Sequence, residues 1–188
     1  MFYALHRVYL VGWAVLLIGG AVWAYPRSGI SEPIADWYEV WLNARGAEPQ
    51  SLTPIDGTVL RVTDGNSFVL RGTDRQIYSI GLAGLVAPSP ALKSNAVLSA
   101  QSRRALLSEL VLSNQVSVGV LSLDGYRRGL GVVHVGSTNV NAVLVESGAA
   151  ELKRAFIREL PWWEQYALIR AERQARREKP EPEANEHR

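Results

Sequence analysis

The sequence predicts an α+β fold, mainly β: a five-stranded barrel with three helices, preceded by an N-terminal transmembrane helix. Three observations carry this prediction. Two apolar, β-branched runs flank the polar tetrapeptide Asp64-Gly65-Asn66-Ser67, a helical period separates a third strand from a fourth and a fifth, and residues 8–25 carry no charge. The order of strands and helix argues against alternating βαβ units and a parallel sheet.

The N-terminal run, VYLVGWAVLLIGGAVWAY, would be about 27 Å long as a helix at ~1.5 Å per residue, close to the thickness of a bilayer core. Tyr9, Trp13, Trp23 and Tyr25 gather toward its ends, where amphipathic rings favour the headgroup level. Two readings fit it: a single-pass anchor over residues 1–29, or a cleaved signal peptide with a basic start at Arg7 and a small-residue site near Ala24. With the amino terminus, His6 and Arg7 before the run and Arg27 after it, the anchored chain is expected to lie outside the cytoplasm, and cleavage as a signal peptide would release it there. With no cysteine in its 188 residues, the chain has no disulfide, thiolate metal site or cysteine nucleophile.

Residues 30–53 follow as an amphipathic helix and a linker. Pro33 suits a first helical turn; Ile34, Trp37, Tyr38, Trp41 and Leu42 recur at helical spacing, and Gly46 ends the pattern. That aromatic stripe either lies on a membrane surface or docks on the next domain. The proline-bearing stretch 47–54, AEPQSLTP, reads as the linker.

Residues 54–179 form the globular domain. Strands are expected at 57–63, 68–71 and 76–82, with the first two joined as a hairpin through the Gly65 turn. The run 96–110 is read as a helix, with Val97, Ala100, Arg104, Leu107 and Val111 at its spacing. Strands at 115–121 and 130–135 meet through a turn at Asp124. Five strands with this helix after the third give the order of an OB-type barrel. A short helix over 140–146 is capped by Asn139 and stopped at Gly148. The last helix, 161–177, should pack Trp162, Trp163 and Tyr166 on the barrel and expose Arg170, Arg173, Arg176 and Arg177. Residues 180–188 are a polar tail with too little apolar surface to fold. Between Pro54 and Leu160 there are 11 basic and 8 acidic residues, a mild excess well below the footprint that alone would indicate nucleic acid.

Four motifs appear in order: Asp64-Gly65-Asn66-Ser67; Gly81-Leu82-Ala83-Gly84-Leu85-Val86-Ala87-Pro88-Ser89; Asp124-Gly125-Tyr126-Arg127-Arg128; and Asn139 through Ala149, with Asn141, Leu144 and Gly148 at fixed spacing. Together they resemble the staphylococcal nuclease (thermonuclease-like) family, whose domain shows D-G-D-T, R-L-x-G-I-D-A-P-E, D-x-Y-G-R and V-N-x-x-L-V-x-x-G-x-A. The resemblance implies an OB-type barrel and phosphodiester hydrolysis. It also implies a calcium ion held by acidic oxygens, a glutamate that activates water, and two arginines that neutralise the phosphate. A hard divalent ion needs several anionic oxygens, and charge developing on phosphorus needs fixed cations.

Position by position, the resemblance puts Asn66 where the second acid of the turn belongs, Val86 in place of the next acid, Ser89 in place of the glutamate and Gly81 in place of the first arginine. Arg128 alone is retained, preceded by Arg127. Arg75 is no substitute for Gly81, since six residues of strand cover about 20 Å at ~3.3 Å each. Asp64 and Asp124 are expected to shape their turns as Asx residues rather than bind metal, and His134 is expected to be packed or exposed rather than a ligand. The expected protein is therefore catalytically inactive and without a cofactor, with Arg127 and Arg128 as the ligand-binding candidates. Expected partners are the membrane, another protein and, with less support, single-stranded nucleic acid. A nuclease using other ligands and a structural subunit of a membrane complex are the alternatives.

Overall fold

A computed structural model describes residues 31–45, 50–88, 99–126 and 128–178. The apolar run 8–25, Ser89, Arg127 and the tail 180–188 lie outside the described residues, and with them the readings made there. Among the described residues, no helix is long and apolar enough to cross a membrane. The chain divides into two compact units after Glu39.

Of the first unit, residues 31–39 are described, as the opening turns of helix α1 (Ser31–Ala44). Ile34, Trp37 and Tyr38 are exposed on it, and Asp36 is buried.

The second unit is built on a closed five-stranded barrel. Strand β1 (Thr53–Asp64) pairs antiparallel with β2 (Ser67–Gly72), which pairs with β3 (Ile77–Leu82). The other half of β1 pairs with β5 (Gln115–Leu123), β5 with β6 (Gly129–Val135), and β6 returns parallel to β3 to close the barrel. One strand serves both halves because β1 is long and irregular in register at Val59/Arg61 and Val62/Asp64; bulges of this kind sharpen twist and let a sheet coil. The expected linker therefore ends early, as Thr53 and Pro54 already pair with Val120 and Gly119. Pro54 is tolerated there because β2 ends opposite Gly57, leaving that side of the strand without a β2 partner for its missing N–H.

Three short strands complete the fold: β4 (Leu85–Val86), β7 (Thr138–Asn139) and β8 (Glu151–Leu152). β4 and β8 pair as a separate two-stranded ribbon. Helix α2 (Ala100–Val111) starts later than its apolar spacing suggested. Ser99, in an extended conformation, caps it by accepting from the Ser102 N–H at 3.0 Å, so Ser99 stands outside the helix, and Val97 falls outside the described residues. Leu107 and Val111 are its buried contacts. Helix α3 (Val140–Glu146) is capped by Asn139, whose Oδ1 accepts from Ala142 N–H, and it gives way to Gly148 at φ +71°.

Helix α4 (Trp162–Glu178) corrects one expectation. Trp162 and Trp163 are exposed and meet edge to face at 5.5 Å. The buried side instead carries Gln165, Leu168, Ile169 and Ala171, with Tyr166 partly buried beside them. Gln165 is tolerated inside because its amide donates to the carbonyls of Arg158 and Leu160 at 3.1 and 2.8 Å while its Oε1 accepts from Asn43 at 3.0 Å. A buried amide with these partners leaves no unmet polar cost. The core runs from Phe68, Leu70, Ile80 and Val118 inside the barrel through Leu107 and Leu144 to Leu160 and Ile169 under α4.

Candidate functional site

The turn between β1 and β2 is held by Asp64. Its Oδ1 accepts from the Asn66 N–H at 2.8 Å and its Oδ2 from the Ser67 hydroxyl at 2.7 Å, which is the Asx role expected of it. Both carboxylate oxygens are thus engaged in shaping the turn. Gly65 is required by close approach, since a Cβ there would stand 2.8 Å from the Cβ of Arg103 on α2.

Backbone pairing gathers three of the motif positions at one end of the barrel. Ser67 lies opposite Gly81, and the Asn66 carbonyl accepts from the Leu82 N–H at 2.9 Å. On the other side of β3, Gly81 pairs with Leu130, two residues past Arg128. Asn66, Gly81 and Arg128 are therefore neighbours. A Cβ on Gly81 would meet the Leu130 Cδ2 at 2.9 Å, the flexible end of a side chain. Val86 lies in the β4–β8 ribbon, opposite Glu151. Arg75 occupies the turn at the far end of β3 with φ +66°, so it does not replace a cation at Gly81.

Asp124 organises the second turn as Asp64 does the first. Its Oδ1 accepts from the backbone N–H groups of Tyr126 and Arg128 at 2.8 and 2.9 Å, and its Oδ2 from Arg128 Nε at 2.7 Å. The Arg128 backbone N–H, followed by its guanidinium and the Tyr126 N–H, holds the Asp124 carboxyl below the ordinary carboxylate range. The Arg128 guanidinium also lies 5.6 Å from the Tyr126 ring centroid, and that ring is 85% exposed.

Two residues beside motif positions are missed by motif reading. Arg103 packs over Gly65, bringing a cation to the turn whose family counterpart carries an extra acid. Glu151, opposite Val86, puts a carboxylate on the ribbon face that Val86 shares, because directly paired residues project to one side. Strand register alone reveals Glu151; the packing of a helix on a turn reveals Arg103.

A calcium ion does not fit what is described here. Asn66 offers a neutral amide oxygen, Val86 offers none, and Asp64 spends one acceptor site on each of its oxygens in holding the turn. Among the described residues, no group of three His, Asp or Glu side chains is placed to hold a metal.

A separate titratable cluster lies where β6 meets α4. His134 Nε2 is 3.7 Å from Glu164 Oε1, and Asn139 Nδ2 donates to Glu164 Oε2 at 2.9 Å. Burial pushes the Glu164 carboxyl up, against the opposing pull of His134 and of hydrogen bonds from Trp163 and Asn139.

A closed five-stranded barrel of this strand order, with a helix between its third and fourth long strands, defines an OB-type protein. Its family follows from comparison: the family model described as staphylococcal nuclease homologue matches residues 80–181, more than half of the chain. The chain belongs to that family. The match begins within β3, and the Asp64–Ser67 turn is joined to it by the β2–β3 pairing. No curated protein gives a significant match to the chain.

Proposed function

We propose that this protein is a membrane-anchored, catalytically degenerate nuclease-like domain that serves as a binding or assembly module for a protein partner. One observation carries the reading: at the barrel end where a nuclease of this family needs anionic metal ligands and a second cation, this chain presents Asn66 and Gly81, while Val86 fills a further acidic position. Metal affinity grows with ligand charge and number, and without the ion or a base nothing polarises the phosphate or activates water. The frame that would hold such a site is intact, since Asp64, Asp124 and the β3–β6 pairing are all in place. The anchor rests on the uncharged run 8–25.

Single-stranded nucleic acid is the second reading, and Tyr126 with Arg128 favours it. An exposed ring beside a guanidinium is a stacking platform with a phosphate counter-charge at hand.

The test is a nuclease assay on the full-length protein in detergent, with calcium, on single-stranded DNA and RNA, beside its Arg128→Ala variant. Product formation should stay at the buffer level for both. Turnover that Arg128→Ala abolishes would overturn the degenerate reading and favour an enzyme with other ligands, Glu151 among them. Salt-sensitive binding of single strands without turnover would select nucleic acid over protein as the partner, because phosphate contacts release counterions.

A further inference from the structure

Helix α1 presents its polar and apolar faces in the reverse of the usual order. Ile34, Trp37, Tyr38, Trp41 and Leu42 are 58%, 45%, 59%, 54% and 43% exposed, whereas Asp36 and Val40 are buried at 4% and 3%. At 100° per residue the five exposed side chains fall within an arc of about 140°, and Asp36, Glu39 and Asn43 lie on the opposite arc. A helix facing water normally buries such a stripe; a contiguous apolar surface left outward marks an interaction. The last turn is firmly held. Asn43 Nδ2 donates to Gln165, and Arg158 donates from Nε and Nη2 to the carbonyls of Asn43 and Arg45 at 2.9 and 2.6 Å. Trp41 and Leu42 are therefore presented on fixed backbone.

We propose that this face of α1 lies in the headgroup layer of the membrane, with Ile34, Trp37, Tyr38, Trp41 and Leu42 inserted toward the acyl boundary. The inference rests on the membrane-anchor reading. If residues 8–25 span the bilayer, six residue steps separate Tyr25 from Ser31, and at ~3.3–3.6 Å per residue the helix begins within about 20 Å of the membrane surface. Within that reach, lipid is the partner always available to an outward apolar stripe. The composition fits the layer: tryptophan and tyrosine have an apolar body and a polar edge suited to the headgroup level. Arg45 completes the stripe one turn beyond Trp41. Its guanidinium stacks 4.4 Å from the Trp41 ring centroid, and arginine at such a boundary keeps its charge among phosphates while its stem lies along apolar surface.

The absence of native cysteine allows a direct test. Full-length Ile34→Cys and Leu42→Cys variants, labelled with an environment-sensitive fluorophore, are reconstituted into phosphatidylcholine–phosphatidylglycerol vesicles beside Leu123→Cys, whose side chain is 67% exposed on β5. Far-UV circular dichroism verifies that each variant is folded. The expected result is blue-shifted emission at 34 and 42, several-fold stronger quenching by shallow brominated lipid than at 123, and several-fold weaker quenching by aqueous iodide. Protein that floats with vesicles while probes at 34 and 42 respond to iodide like the probe at 123 leaves the anchor standing and overturns the surface contact. Failure to float overturns both. Shielding from iodide without any response to brominated lipid would mean that the face is covered by protein, either a second copy or another partner, and would equally overturn the lipid assignment.

Discussion

Asn141 is the side chain on which the joint between barrel and helices most depends. It is fully buried; its Oδ1 accepts from the Val133 N–H at 3.0 Å, and its Nδ2 donates to the carbonyls of Ala83 and Gly131 at 3.2 and 3.3 Å. One amide thus ties α3 to β6 and to the turn after β3. Asn141→Ala leaves the Val133 N–H and the Ala83 carbonyl short of a partner, whereas the Gly131 carbonyl still accepts from the Ala83 N–H at 2.8 Å. An orphaned buried donor costs about 1–3 kcal/mol, a carbonyl toward the lower end of that range. With a small cavity added, the loss should be about 3–5 kcal/mol, a large share of the ~5–15 kcal/mol that holds a typical domain. Urea unfolding of the full-length protein in mild detergent, followed by far-UV circular dichroism, measures it. Asn141→Leu separates the causes, because it restores volume without hydrogen bonds and should be at least as damaging as alanine. Recovery by leucine to within about 1 kcal/mol of the parent would show that packing, not the bonded amide, is what the position supplies.

Two further outcomes follow from the same geometry. Gly84 holds φ +74°, and a Cβ there would collide with Ile157 Cγ2, so Gly84→Ala should cost about 2–4 kcal/mol from backbone strain and overpacking together; the same unfolding experiment on Gly84→Ala/Ile157→Ala should show less than the sum of the single losses. Glu164, raised by burial, takes up a proton more readily in the folded than in the unfolded chain. Its contribution is therefore fully present below the ordinary glutamate range and is lost as pH rises through the raised folded value. Unfolding midpoints of Glu164→Gln, followed as pH rises from the ordinary glutamate range, should accordingly depend less on pH than those of the parent.

The barrel strands were legible because their signals are local. Alternation, the Gly65 turn and the Asn139 cap depend on neighbours a few residues away, and β1, β2, β3, β5 and β6 appear where those signals stand. Closure through β3 and β6 is different in kind. It pairs strands nearly fifty residues apart, in parallel, and no periodicity encodes which edges meet. The buried face of α4 is hidden in the sequence for a related reason. Apolar spacing favours a stripe through Trp162, Trp163 and Tyr166, but the buried side includes Gln165 and Glu164, whose burial is made tolerable by Asn43, Asn139 and the carbonyls of Arg158 and Leu160. A polar residue looks exposed in a sequence until its distant partners are known.

The candidate site divides along the same line, and the division bears on what the chain can do. Asn66, Gly81 and Arg128 are brought together by the Asn66 carbonyl, by the β2–β3 and β3–β6 registers, and by turns built on Asp64 and Asp124. The side chains at 66 and 86 carry none of those links, and Gly81 has no side chain to carry one. The side chains at 66 and 86 can therefore vary without breaking those links, whereas replacing Asp64 or Asp124 would open the turn that each one holds. Asp64 and Asp124 each accept backbone hydrogen bonds in the turn that they hold. A chain with this pattern keeps the barrel end as a fixed surface, with Tyr126 and Arg128 displayed on it and Arg103 packed over the neighbouring turn.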